Sequence, residues 1–416
     1  MPEEVMALFK RTVPSGLRFG TVTVYLDGEA VEVTTFRREG RYGPDRRPQE
    51  VRLGVTLEED LSRRDFTVNA LAYDPVKNSW IDCYGVKHRL AAKYLEIKAV
   101  GSAKERFEED PLRMLRAFYL MARAGAAGAR FAWDEDTFAA ISSCRDKIKG
   151  VSGERIREEL NKILLGPNPA ACLAKMEEAG LLEIILPELT ANKGVDQGNR
   201  FHRLDVLEHI LATVQLVEPR LALRWAALLH DIGKYRCRIE VGDRFLFYGH
   251  APVSAEMASA VLGRLKFGKE LQNQILNLIA HHMFDYPQTE AGIRRLLRRV
   301  GPENIDDLLE LRRADILASG PNATTRAVEN LRRQIREVQN KKPGLTLKDL
   351  AVNGFDVMEH LKIKPGPRVG QALNYLLERV LDEPSLNERQ ALLAELDRWA
   401  LSQGVVSGPV GTSSSR

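Results

Sequence analysis

The feature that most constrains the fold is a change in hydrophobic periodicity at about Leu57. Residues 21–36 alternate β-branched and polar side chains on both sides of Asp27-Gly28, which is the pattern of a β-hairpin. From Leu57 onward the apolar residues recur mainly at helical spacing, apart from a few short pieces such as a hairpin near Val241–Tyr248. We therefore predict an α+β protein in which a small β-sheet region precedes a mostly α-helical remainder.

Length and composition limit the class of protein. A chain of 416 residues is too long for one ordinary core, so several domains are expected. No apolar run is long enough to cross a bilayer, and early acidic residues replace a signal core, so we predict a cytoplasmic protein with no membrane partner. The net charge of +4 permits an RNA partner without establishing one.

Two short segments carry residues suited to nucleotides. Arg63 and Arg64 offer planar donors that match phosphate oxygens, and Asp65 and Asn69 are four residues apart, on one face of a helix that we predict to start here. By its residues alone, this segment is better explained by a solvated helix start with a capping acid.

Asp110 and Arg113 form the second segment. Pro111 fits a first helical turn, so Asp110 is predicted at the N-cap, with Arg113 one turn later. An acceptor beside paired donors matches the amino group and ring acceptors of cytosine or adenine. On the residues alone, an ordinary N-cap with an i+3 salt bridge explains the spacing better.

In their order, the segments Leu57–Asp74, Glu108–Arg116 and Ser152–Leu160 resemble motifs of the class II tRNA nucleotidyltransferases, the CCA-adding enzymes and their poly(A) polymerase relatives. The resemblance implies binding of tRNA, CTP and ATP with Mg²⁺, and no DNA partner. It implies nucleotide contacts by the two segments, and it implies that Ser152–Leu160 supports the base-reading helix. Tyr119 stands where relatives often have an Arg. The residues that the resemblance assigns to nucleotide binding are Arg63, Arg64, Asp65, Asn69, Asp110, Arg113 and Arg116.

The resemblance also implies two Mg²⁺ ions held by carboxylates on a small sheet. Relatives supply them from a D-x-D strand after a Gly-rich loop, and neither motif precedes Leu57 here. Glu32 occupies the position of the third acidic residue, although a strand Glu is more often an outward-facing residue. We expect a truncated head with a misplaced start at Met1, and a poor transferase as the chain is written.

An ordered set of histidines and aspartates predicts a second site. Neutral imidazoles with carboxylates suit a divalent metal such as Ni²⁺, Mn²⁺ or Mg²⁺. The set, built around Leu228–Lys234, resembles the HD phosphohydrolase domain, with Lys234 steadying a phosphate. The predicted ligands are His209, His230, Asp231, His250, His281, His282 and Asp315.

The order of these segments predicts the domain organisation. Arginines and lysines between residues 290 and 342 could follow an RNA backbone or form a solvated helix face. The predicted domains are a partial nucleotidyltransferase head at 1–98, nucleotide-reading neck helices at 99–166, body helices at 167–200, an HD domain at 201–320, a basic tRNA-binding tail at 321–402 and a disordered tail at 403–416.

The predicted function is addition of C and A to tRNA 3′ ends from CTP and ATP, with phosphohydrolase activity in the HD domain. The alternative is an HD phosphohydrolase or a tRNA-binding protein without transferase activity, because the D-x-D carboxylates are absent from the head. CCA, A-only and C-only addition all remain open.

Overall fold

The computed structural model describes residues 1–40, 50–126, 128–198, 204–242, 244–341 and 346–404. It has two compact units, Met1–Leu276 and Asn277–Arg416. Their division falls inside the predicted domain 201–320, and the finer domain boundaries remain predictions. The C-terminal tail that we predict to be disordered lies outside the described residues from position 405 onward. No helix in the described ranges is long and apolar enough to span a membrane.

Strands and helices of the first unit follow the predicted change of periodicity, so the α+β class is confirmed. The strands are β1 Thr12–Gly16, β2 Thr21–Leu26, β3 Glu29–Thr34, β4 Arg37–Glu39, β5 Val51–Leu53, β6 Leu71–Asp74, β7 Ser79–Asp82, β8 Tyr94–Ile97, β9 Arg130–Trp133, β10 Ile239–Val241 and β11 Arg244–Leu246. The helices are α1 Pro2–Leu8, α2 Leu57–Ser62, α3 Lys87–Ala91, α4 Ala103–Glu109, α5 Leu112–Ala126, α6 Glu135–Cys144, α7 Gly153–Leu164, α8 Pro169–Glu178, α9 Leu181–Ile185, α10 Pro187–Thr190, α11 Val206–Leu216, α12 Leu221–Leu229, α13 Lys234–Cys237 and α14 His250–Arg264.

The predicted hairpin forms the centre of an antiparallel sheet with strand order β1-β2-β3. Asp27 and Gly28 both have positive φ, 50° and 87°, as a tight hairpin turn with two left-handed residues requires. Alternation along β2 buries Val22 and Val24 completely. The sheet thus has one buried face, and β3 carries Glu32 opposite Thr23 of β2.

Helices α5 and α7 pack against one another in the first unit. Apolar residues of α7 recur at Ile156, Leu160 and Ile163, and all three are buried. Helix α5 contributes Met114 and Phe118, both fully buried. This spacing places one apolar stripe of each helix in a shared core and leaves their polar faces free to line a cleft.

We predict that Gly153 is essential for the packing of α7 against the end of α14. A Cβ atom at position 153 would overlap the backbone carbonyl oxygen of Arg264, and a side-chain rotation cannot move this backbone atom aside. Gly153→Ala should therefore lower the free energy of unfolding by about 1–3 kcal/mol, measured by urea denaturation.

Gly263 provides the matched control for this substitution. It lies within α14, and a Cβ there would meet no atom within 4 Å. Gly263→Ala should be neutral or stabilise by up to about 1 kcal/mol, because Ala favours the helix more than Gly does. Equal effects of the two substitutions would contradict the packing argument.

The second unit is helical in its described residues. Helix α15 Lys269–His281 crosses the division, and α16 Glu290–Val300, α17 Ile305–Ala318, α18 Arg326–Asn340, α19 Gly354–Leu361, α20 Pro367–Asp382 and α21 Arg389–Ser402 follow. Leu376, Leu377, Leu396 and Trp399 belong to the core formed by α19, α20 and α21.

Part of the basic stretch in this unit is used for packing. Arg294 is 4 % exposed and donates to the carbonyl oxygen of Leu381 at 2.6 Å. Arg295 pairs with Asp382 at 2.7 Å, and Arg298 pairs with Glu378. These arginines hold α16 against α20, so the structure favours the non-RNA interpretation for them.

Candidate functional site

A cleft of about 730 Å³ lies in the first unit, where the open side of the sheet region meets the polar faces of α5 and α7. Its lining is strongly charged, with seven cationic and four acidic side chains among the described residues. The lining residues are Thr21, Glu32, Thr34, Phe36, Arg37, Asp60, Arg63, Arg64, Asp65, Asn69, Arg113, Arg116, Tyr119, Leu120, Arg123, Glu159 and Lys162. Seven of the eight predicted nucleotide-contacting and catalytic residues of the head and neck line this cleft, and Asp110 is the one that lies outside the lining.

Asp60 fixes the two arginines of the first predicted segment. Its Oδ1 accepts from Arg63 Nη2 at 2.7 Å and from the backbone N–H of Arg37 at 3.1 Å, and its Oδ2 accepts from Arg64 at 3.2 Å. Asp60 is 2 % exposed. Burial opposes its ionisation, but hydrogen bonds from Arg63 and Arg37 and the two guanidinium charges outweigh burial and lower the pKa of Asp60.

We predict that Asp60 makes stability depend on acid pH. Because its pKa is lower in the folded state, its stabilisation is fully present above the unfolded value of about 4 and is lost as pH falls through the folded pKa. Asp60→Asn should cost about 1–3 kcal/mol at pH 7 and less at pH 3. Urea unfolding at both pH values checks this, and an equal cost at both would contradict it.

The predicted helix start at Arg63 is wrong, because α2 ends at Ser62 and the backbone then turns. The turn nevertheless brings the predicted pair together: Asn69 Nδ2 donates to Asp65 Oδ1 at 3.0 Å. Arg116 of α5 pairs with the other oxygen, Oδ2, at 3.0 Å. Asp65 is buried and acts as the link between this turn and α5.

The side chains of Asp110 and Arg113 do not form the i+3 salt bridge of the ordinary N-cap interpretation. Asp110 accepts from the backbone N–H of Leu112 at 3.2 Å, and its other oxygen pairs with Arg155 of α7 at 2.8 Å. Arg113 is 7 % exposed and donates to Glu109 at 2.7 Å. Sequence reasoning missed Glu109 as the partner of Arg113, although its i−4 spacing was a usable signal.

Glu32 is an exposed residue of β3 that lines the cleft. The one D-x-D triplet of the sequence is Asp134–Asp136, and Asp134 caps α6, accepting from Thr137 at 3.0 Å and from Lys98 at 2.9 Å. Among the described cleft residues, Asp60 and Asp65 are engaged by arginines. Glu32 by itself does not fit a two-Mg²⁺ centre, because one carboxylate cannot bridge two ions and complete their coordination.

The predicted histidine site assembles around Asp231 within the first unit. Its carboxylate lies 3.4 Å from His209 Nε2, 3.1 Å from His230 Nε2 and 3.2 Å from His250 Nε2. Lys234 Nζ is 2.7 Å from the same carboxylate. All five side chains are buried. Burial opposes the charge of Asp231, but His230, Lys234 and His209 outweigh it, so the pKa of Asp231 lies well below its usual range.

Backbone carbonyls orient two of these imidazoles. His230 Nδ1 is 2.8 Å from the carbonyl oxygen of Ala227, and His250 Nδ1 is 2.7 Å from that of Phe247. An N–H on each Nδ1 leaves Nε2 as the electron-pair donor that faces Asp231. Ring nitrogens of His209 and His230 and a carboxylate oxygen of Asp231 lie within 4.8 Å of one another, and this donor set fits a divalent metal ion.

The remaining predicted ligands, His281, His282 and Asp315, lie in the second unit. His281 Nδ1 is 2.9 Å from the carbonyl oxygen of Asn277, and His282 Nδ1 is 2.7 Å from that of Ile279. Asp315 pairs with Arg312 at 2.7 Å. Their role as metal ligands remains a prediction.

Family models match along the chain. The "Poly A polymerase head domain" model matches residues 1–96, the "Probable RNA and SrmB-binding site of polymerase A" model matches 130–193, and the model of tRNA nucleotidyltransferase domain 2 matches 245–396. The three matches together span most of the chain from residue 1 to residue 396.

Curated relatives and a solved structure agree with these models. The chain is 34 % identical to the A-adding tRNA nucleotidyltransferase of Deinococcus radiodurans, over 84 % of this chain and 81 % of that protein. It is 37 % identical to the CC-adding tRNA nucleotidyltransferase of Thermus thermophilus, over 77 % and 73 %. The Bacillus stearothermophilus CCA-adding enzyme in complex with CTP superposes with a TM-score of 0.71 at 27 % identity, over 97 % and 87 %. The chain therefore belongs to the class II tRNA nucleotidyltransferases.

Proposed function

We propose that this chain adds C and A to the 3′ end of tRNA, using CTP and ATP. The observation that carries the proposal is the cleft, in which a buried, rigidly held Arg113 lies among exposed cations in a chain of this family. The relatives described above are named for A, CC and CCA addition. A cytoplasmic location fits a tRNA substrate.

The contacts of the cleft residues support distinct roles. Arg63 and Arg64, fixed by Asp60, offer donors for nucleotide phosphates. Asp65 and Asn69 offer an acceptor and a donor for ribose hydroxyls. Arg116, tied to Asp65, would join the phosphate contacts at the α5 side, and Glu32 would face the reacting ends.

Base selection is assigned to Arg113 and Asp110. Glu109 fixes the Arg113 guanidinium, and Arg155 fixes the Asp110 carboxylate. Donors held in place can match the ring acceptors of cytosine or adenine and reject uracil and guanine, since a mismatched base would leave buried donors unpaired. The support from Ser152–Leu160 that the resemblance implied would act through Arg155.

Transcripts of tRNA that end at the discriminator base, after C, or after CC test the proposal. Each is incubated with labelled CTP or ATP and Mg²⁺, and products are separated by length. Extension of all three indicates CCA addition, extension of the first two CC addition, and extension of the third alone A addition. Failure to extend any transcript would contradict the proposed function.

A second activity is supported by the cluster around Asp231. We infer that His209, His230 and Asp231 hold Ni²⁺, Mn²⁺ or Mg²⁺ and that Lys234 holds a phosphate. When bound, such an ion lowers the pKa of a water molecule and makes hydroxide available at neutral pH. The chain's own part is to orient the imidazoles and to exclude bulk water, as the burial of the cluster allows.

Hydrolysis of a 2′,3′-cyclic nucleotide with each of the three ions in turn tests this activity. We expect turnover with at least one ion and its loss in a His230→Ala variant. Turnover that does not depend on His230 or on added metal would assign the hydrolysis to another site or to a contaminant.

A further inference from the structure

Two cations converge on one aromatic ring at the α7 end of the cleft. Lys162 Nζ lies 5.7 Å from the centroid of Tyr119, and Arg123 Cζ lies 5.9 Å from the same centroid. Tyr119 and Arg123 occupy successive turns of α5, whereas Lys162 comes from α7. All three residues line the cleft.

The two cations differ in what holds them. Lys162 Nζ is 2.8 Å from Glu159 Oε1, and Glu159 is 5 % exposed. Arg123 is exposed, and within the described ranges its side chain contacts the Tyr119 ring but no hydrogen-bonding or ion-pairing partner. By contrast, Arg113 and Arg116 are both paired with carboxylates.

Glu159 also leaves an unused acceptor at this place. Its Oε2 is buried in the wall of the cleft and has no hydrogen-bond partner among the described residues. A buried acceptor without a donor is costly. A group that brings a hydroxyl beside an anion, as a ribonucleotide does, would satisfy both Glu159 and the two cations.

We propose that Arg123 and Lys162 form a phosphate-binding site for a ribonucleotide substrate at the α7 end of the cleft. The inference rests on the proposed function and deepens it. Each cation lies within 6 Å of the Tyr119 ring in the wall of the cleft, so an anion bound at this place is attracted by both charges, and Arg123 can take two phosphate oxygens at once. The phosphate belongs either to the incoming triphosphate or to the 3′ end of the RNA.

Equilibrium binding of three probes to the full chain tests the site: tripolyphosphate, CTP, and tRNA lacking its CCA end. Arg123→Gln should raise the Kd for tripolyphosphate about tenfold. Lys104→Gln is the control, because Lys104 is an exposed residue of α4 outside the cleft and its loss removes the same charge. Circular dichroism confirms that each variant is folded.

The probes distinguish the two sources of phosphate. A rise of about tenfold in the Kd for CTP assigns the site to the triphosphate. A rise in the Kd for tRNA assigns the site to the RNA, provided that the slope of log K against log salt concentration also becomes smaller by about 1. The double variant Arg123→Gln/Lys162→Gln should lose less binding free energy than the sum of the losses in the two single variants, because both side chains hold the same phosphate.

Failure of the site and failure of the proposed function give different results. If Arg123→Gln leaves all three Kd values within twofold of those of Lys104→Gln, the site is overturned, whatever the transferase activity. If the wild type binds tripolyphosphate through Arg123 but extends no tRNA transcript, the site stands and the proposed function falls.

Discussion

Arg113→Gln is expected to lower the preference for CTP and ATP over UTP and GTP by about 100-fold, measured as the ratio of kcat/KM values. The Arg113 guanidinium is buried, donates to Glu109 at 2.7 Å and lies 3.4 Å from the carbonyl oxygen of Arg63. These contacts fix its remaining donors before a base arrives. Gln is shorter and neutral, so it cannot present the same paired donors.

Arg116→Gln is the matched control. Arg116 lines the same cleft one turn along α5, but its side chain is 48 % exposed and pairs with Asp65. Its loss should lower kcat/KM for all four nucleotides by a similar factor and leave the preference for CTP and ATP unchanged. Glu109→Gln should reduce the preference in the same direction as Arg113→Gln, because Glu109 positions Arg113. An unchanged preference in Arg113→Gln would refute its assignment to the base.

Asp231→Ala is expected to abolish divalent metal binding and to lower the free energy of unfolding by about 3–5 kcal/mol. Asp231 is 1 % exposed and lies within 3.4 Å of His209, His230, His250 and Lys234. Without its carboxylate, the buried ammonium of Lys234 loses the charge that balances it. Metal content after dialysis and urea unfolding measure the two effects.

Asp146→Ala is the control for this prediction. Asp146 forms an ion pair with Lys149 at the surface, and its side chain is 70 % exposed. Its loss should leave both the stability and the metal content essentially unchanged, because solvent screens an exposed ion pair. If Asp231→Ala retains bound metal, the cluster is not the metal site. If its stability matches that of Asp146→Ala, the carboxylate does not balance Lys234.

The parts of the structure that follow from local sequence were predictable. Asp27-Gly28 fixes its hairpin because both residues adopt positive φ. The ordered histidines identified the cluster in the first unit because ligand chemistry restricts which side chains can meet around a carboxylate. Neither prediction needed knowledge of how distant helices pack.

Contacts between distant segments could not be predicted in this way. Asp110 and Arg155 are 45 residues apart and meet only because α5 and α7 pack together. The burial of Asp60 could not be predicted, because its sequence environment is that of a solvated, acidic helix. The fold nevertheless buries it beneath Arg63 and Arg64. The predicted helix start at Arg63 failed for a related reason, since α2 ends at Ser62 and the following turn is stabilised by Asp65 and its partners.

A crystal structure with CTP tests the central claim most directly, because it locates the nucleotide without requiring turnover. We expect the nucleotide in the cleft of the first unit, with its phosphates at Arg63 and Arg64 and its base edge at Arg113. Density for CTP elsewhere, or in the cleft with the base away from Arg113, would contradict it.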